Sequence, residues 1–103
     1  MGTLSPLTRA IGSVATIATP NASRYLRQLC EHFQRRLPVS FDPRSGQIVH
    51  PAGECRLVAG EDVLMLLLVA PGAGQLGQLK DVLARHLLRF ASREDMLIVW
   101  RPV

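Results

Sequence analysis

The sequence predicts a two-layer α+β domain in which two helices cover one face of a mostly antiparallel sheet, in the order strand, helix, three or four strands, helix, strand. Three observations carry this. Apolar residues recur at three- and four-residue spacing in two separate segments, the mark of amphipathic helices. Between and around them lie short runs rich in Val, Ile and Leu, separated by Gly, Pro and Asp clusters that read as turns. Each helix then has one apolar arc to bury, and a sheet lying under both of them buries both.

Ser13 to Thr19 places β-branched residues at alternating positions and suits a first strand. Thr19 followed by Pro20 reads as an N-cap and first helical position, because the hydroxyl can accept an orphan amide and proline has none to leave unpaired. The helix is expected to run to about Arg36, with Tyr25, Leu26, Leu29, Cys30, Phe33 and Leu37 on its apolar arc and Arg24, Arg27, Gln28, Glu31 and Arg35 opposite. Pro38 ends it.

Val39 to Phe41 and Gln47 to His50 form a hairpin about a five-residue turn, Asp42 to Gly46. Glu54 to Ala59 alternates polar and apolar and reads as a half-exposed edge strand. It returns through Gly60-Glu61-Asp62 as the central, almost wholly apolar strand Val63 to Val69. A second helix extends to about Ala91 with Leu76, Leu79, Val82, Leu83, Leu87 and Phe90 inward, and Met96 to Arg101 closes the chain as a last strand. Leu29, Phe33, Leu66, Leu68, Leu83, Leu87, Phe90 and Val99 are expected to make one contiguous core. In the central strand the even-numbered set Leu64, Leu66 and Leu68 is placed inward, and Met65, Leu67 and Val69 outward, since Met tolerates a water-facing or partner-facing surface better.

At 103 residues one domain is expected, residues 12–103, behind a flexible extension of residues 1–11. A chain this short needs nearly all its aliphatic side chains inside, which leaves little room for a deep cavity. Cys30 and Cys55 lie far apart with no CxxC and read as reduced thiols, a bridge between them being left open. The first residues lack the pattern of a signal peptide, and the apolar run Val63 to Pro71 is too short to cross a bilayer, so a cytoplasmic protein without membrane contact is expected.

The formal charge of +4 gives a mild bias toward anions. Arg85, Arg89 and Arg93 repeat every fourth residue and, with Arg24, Arg27 and Arg35, give the helices a basic outer face. With few exposed aromatics for bases to stack on, nucleic acid is not an expected partner, and local pairing with Glu31, Asp81 and Glu94 is the simpler role. No metal site is assigned: Cys30 and His32 are two residues apart and point about 200° from each other on a helix. GxSxG, GxGxxG, P-loop and HExxH patterns are absent, so no catalytic residue is assigned and the cofactor is left unknown.

His32 and His86 are the notable pair. Each falls at the same edge of its helix's apolar arc, so on antiparallel helices they either meet at the helix–helix seam or lie on opposite flanks. Meeting, they could bind an anion or titrate near neutrality. His32, His86, Arg89 and Arg93 are therefore the candidate ligand-binding residues.

The segments Ala18 to Leu26, Gln28 to Phe33, Val39 to Asp42, Gly46 to Ile48 and His86 to Glu94 resemble the blocks of an uncharacterised family of small bacterial domains. Ser92 stands where an aromatic is usual in that pattern. The resemblance implies a domain found alone and appended to siderophore-interacting reductases, and with it a link to iron acquisition. On this reading the chain is a non-catalytic accessory or anionic-ligand-binding module, whose partner is an anionic small molecule or a siderophore-reductase-type protein. A small enzyme using His32 or His86 as acid/base and Arg89 as anion holder is one alternative. The other is a dimerising module, a homodimer contacting through Leu88 and the strand Glu54 to Ala59.

Overall fold

The computed structural model describes residues 10–103. The elements are β1 (Ile11–Ala18), α1 (Ala22–Phe33), β2 (Val39–Phe41), β3 (Ser45–His50), β4 (Gly53–Ala59), β5 (Val63–Ala70), α2 (Ala73–Phe90) and β6 (Trp100–Pro102). The strands form one antiparallel sheet in the order β2-β3-β4-β5-β1-β6. The expected α+β arrangement of two helices on an antiparallel sheet is what the chain adopts. The four strands β4-β5-β1-β6, with the two helices, form a split βαβ core, and the β2–β3 hairpin widens its sheet. Of the expected N-terminal extension, Ile11 already belongs to β1 and Ala10 precedes it, while residues 1–9 lie outside the described residues.

Two expectations need correcting. β4 is not an edge strand: β3 and β5 pair along both its sides, and the sheet's edges are β2 and β6. The polar alternation of β4 reads as an edge, but consecutive hairpins with β3 and β5 cover both its sides, and β1 beside β5 makes β5 interior as well. The last strand is also shorter than Met96 to Arg101, since only Trp100 to Pro102 pairs with β1. In the segment before it Met96, Ile98 and Trp100 pack on the core, so Val99 points the other way and is 56% exposed instead of buried.

The remaining core residues are placed as expected. Leu29, Leu83, Leu87, Leu66 and Leu68 are inaccessible, Phe33 nearly so, and Phe90 packs half-buried against them. The even-numbered face of β5 is the covered one: Leu64, Leu66 and Leu68 are fully buried while Met65 is 37% exposed. Register extends this parity across the sheet, placing Cys55 and Leu57 of β4 and Ala15 and Ile17 of β1 on the same inner face.

Local chemistry explains the boundaries. Thr19 lies two residues before the cap position, Asn21: its Oγ1 accepts from the Asn21 amide at 3.1 Å, closing a turn, and α1 begins at Ala22. The hairpin loop is three residues long, because Asp42 Oδ1 accepts from the amides of Arg44 (2.8 Å) and Ser45 (2.9 Å) and lets β3 start at Ser45. Gly46 allows β3 to pass close beneath α1, since a Cβ there would sit 2.8 Å from Cys30 Sγ. Gly53 adopts a φ of +158° beside β5, where a Cβ would lie 2.3 Å from the Val69 carbonyl oxygen.

The parity of β5 makes a direct test. Leu66→Ala should lower unfolding free energy by about 2–5 kcal/mol, and Met65→Ala by under about 1 kcal/mol, in denaturant titrations at low protein concentration. The reverse ranking would mean that the sheet's covered face is the odd-numbered one.

Candidate functional site at the helix seam

α1 and α2 run antiparallel. The end of α1, at His32 and Phe33, meets His86 and Phe90 of α2, while the start of α1 meets the turn that follows α2. Of the two placements open to the histidine pair, the structure shows the seam. The His32 and His86 ring centroids are 4.6 Å apart at 44°. Phe33 stands 5.0 Å from His86 and edge-on to His32, and Phe90 lies 5.9 Å from His32. Four rings thus close one end of the helix layer, and two of them are titratable.

The two imidazoles are held differently. His86 Nδ1 lies 2.8 Å from the Val82 carbonyl oxygen one helical turn back. A carbonyl only accepts, so Nδ1 carries the proton and Nε2 is left as the free acceptor in the neutral ring. His32 is exposed and its pKa is held below the ordinary 6.5, first by desolvation, then by His86 and by the cations Arg35, Arg89 and Arg36. On its outer side His32 joins Phe33, Arg35, Arg36, Leu37, His50 and Pro51 in lining an open groove of about 490 Å³. His50 faces that groove with Nδ1 accepting from the Ala52 amide at 3.0 Å.

Of the four residues singled out from sequence, then, His32 and His86 are in contact and Arg89 acts on His32. Arg93 lies in the turn after α2 and is not among the charges felt by His32. Arg35, Arg36 and His50 belong to the same neighbourhood and were missed. His50 is the last residue of β3, which no helical periodicity links to α1.

A second polar cluster crosses the other end of the seam. The Glu94 carboxylate accepts from Thr19 Oγ1 (2.8 Å), Asn21 Nδ2 (2.9 Å) and the Tyr25 hydroxyl. These donors hold Glu94 below the ordinary carboxylate range, Tyr25 contributing most, and burial raises the Tyr25 phenol. Glu94 therefore ties the start of α1 to the end of α2, and local pairing with the Arg face is not its hydrogen-bonding role. Among the described residues the ion pair found is Arg85 with Asp81, at 2.8 Å and well exposed, which contributes little. Between the two clusters Gln28 keeps Oε1 out of solvent with no hydrogen-bond partner.

Other features offer less chemistry. Cys30 and Cys55 are free and buried. Burial pushes the Cys30 thiol up to about 11 and Cys55 higher still, so neither is a thiolate nucleophile at neutral pH. Another hollow, about 560 Å³, is a shallow depression over Ser40, Gln47 and Arg56 that contains no histidine. Among the described residues no three His, Cys, Asp or Glu side chains converge as a metal site would require, and no helix is long and apolar enough to cross a membrane.

Fold and site together define an α+β domain with a polar helix seam on one side of its sheet and, among the described residues, no element packed on the other. The chain belongs to a family described as uncharacterised protein conserved in bacteria, DUF2218, whose model matches residues 14–101. It is also similar to the NMR structure of PA4090 from Pseudomonas aeruginosa, at 31% identity over 88% of this chain and 95% of that one, with a TM-score of 0.76. No curated protein matches the chain in sequence.

The seam makes stability pH-dependent in two windows. The folded pKa of His32 is depressed, so the unfolded chain binds that proton first: its contribution is complete above about 6.5 and declines as pH falls through 6.5 toward the folded value. Glu94 is depressed too, so its contribution holds above 4.5 and is lost as pH falls through its folded value. Thermal melts of His32→Gln should show a shallower decline between pH 7 and 5, and those of Glu94→Gln a shallower decline below about 4.5. Unchanged slopes would show that neither group is coupled to folding.

Proposed function

We propose that this domain is a non-catalytic accessory module that binds an anionic small molecule at the His32 end of the helix seam. The observation that carries the reading is the contact between His32 and His86 beside Arg35, Arg36 and Arg89, a titratable pair among cations with no carboxylate paired to them among the described residues. Positive charge already surrounds His32, so adding a proton there is unfavourable until an anion arrives. Anion binding and proton uptake then favour each other, and guanidinium groups supply charge-assisted hydrogen bonds to carboxylate or phosphate oxygens. The family resemblance adds a context of siderophore and iron metabolism, in which ferric chelates are candidate ligands, and a siderophore-reductase-type protein is the corresponding partner. A cytoplasmic setting accords with the two reduced, buried thiols.

One observation favours acid–base chemistry as a second reading. His86 Nδ1 is fixed by the Val82 carbonyl, which leaves Nε2 oriented as a general base is in many enzymes. The groove, however, is lined by His32 and not by His86, so the two rings do not face one cavity as a catalytic pair would.

Titration of the 15N-labelled chain with citrate, inorganic phosphate and ferric siderophores separates these readings. A ligand of the seam should shift the amides of His32, His86 and Arg89, bind more tightly at pH 6 than at pH 8, and lose about tenfold or more in affinity in Arg89→Gln. A shift with ferric chelates but not with citrate or phosphate would support the siderophore context. Failure of all three classes to move these signals would remove the anion-binding reading.

A further inference from the structure

We propose that the open face of the sheet is a self-complementary dimerisation surface, occupied by a second copy of this chain. This is independent of the anion site, which lies on the helical side.

Both helices pack on one face, so among the described residues the outward side chains of the central strands have no element packed over them. Val14 of β1, Val58 of β4 and Met65, Leu67 and Val69 of β5 share that face by register, with Val58 45% and Met65 37% exposed. Outward side chains of a half-covered antiparallel sheet are ordinarily polar, and here an aliphatic strip runs down the middle instead. Arg101 of β6 lies at its rim, opposite Val14.

The charges specify the occupant. Glu54 and Arg56 stand two residues apart on β4 and both point outward, opposite Val69 and Leu67 of β5. A twofold axis lying between two such faces, perpendicular to the strands and level with Cys55, places β4 over its own copy in reverse. Glu54 then meets Arg56 of the other copy and Arg56 meets its Glu54, while Val69 and Leu67 exchange places in the same way. Two ion pairs and a Leu67–Val69 contact arise from one operation, with Met65 and Val58 toward the margin of the overlap and the residual rotation that two twisted sheets adopt on packing. Within one copy Glu54 accepts from Gln47 Nε2 at 2.6 Å, and Arg56 has no ion-pair partner among the described residues. With strands about 4.8 Å apart and about five residues of each long strand overlapping at about 3.3 Å each, the shared face spans roughly 300 Å² per copy, which places the pair among weak, transient interfaces. The dimer is therefore a reversible one.

Sedimentation equilibrium of the full chain over a wide concentration range tests this, with circular dichroism to show that each variant folds. The expected result is a reversible dimer, at least about tenfold weaker in Arg56→Glu and restored in the double variant Glu54→Arg, Arg56→Glu, whose pairs are complementary again. A wild-type chain that stays monomeric at millimolar concentration overturns the proposal and leaves the face to a different partner. A dimer indifferent to Arg56→Glu overturns it also, because the contact then lies elsewhere, on the edge strands β2 and β6 or at the exposed Leu88.

Discussion

The structure depends on a single constraint: both helices must bury their apolar arcs on one face of β5 and its neighbours. Leu64, Leu66 and Leu68 supply the middle of that face, and Leu29, Leu83 and Leu87 descend on it from the two helices. Burying each such side chain contributes roughly 1.5–3 kcal/mol, and a chain of this size has no second core to fall back on. Once both helices occupy the same side, they must lie against each other, and among the described residues the opposite side of the sheet is left without a covering element. The polar seam and the open face are both consequences.

The seam is where polar groups of the two helices can meet without entering the aliphatic core. Its two ends are built for different ends. Glu94 is saturated: a threonine, an asparagine and a tyrosine donate to one carboxylate, which leaves it little capacity for a ligand and makes it a tie between the start of α1 and the end of α2. The His32 end is unsaturated, with an imidazole in contact with a second one, three arginines acting on it and an open groove beside it. Groups left in that condition are more often involved in binding than in holding a fold together.

Much of the fold was legible in the sequence because it is written locally. Helical spacing marked α1 and α2, although α1 stops at Phe33, short of the expected Arg36 and well before Pro38; the Asp42 turn marked the first hairpin, and the even-numbered face of β5 followed from asking which set tolerates exposure. The errors lie in the sheet's margins. The polar alternation of β4 reads as an edge, yet hairpins with β3 and β5 make it interior, and Val99 faces outward because the alternate residues Met96, Ile98 and Trp100 are the ones that pack on the core. The histidine pair could be read to within two placements, since helical angle gives the edge of an arc but not which edges face each other. Glu94 could not be read at all as a tie, because its three partners lie some seventy residues earlier in the chain and nothing in their spacing points to it. His50 was likewise invisible, being brought to the groove by the end of β3.

The central claim, that His32 and His86 act as one coupled pair at the seam, is tested most directly by following the His32 ring resonances against pH by NMR in the wild-type chain and in His86→Gln. The account predicts that His32 titrates below the ordinary 6.5 in the wild type and moves up toward it when His86 is replaced, because one of the interactions opposing its protonation has gone. A His32 ring that titrates at its ordinary value in both, indifferent to residue 86, would contradict it.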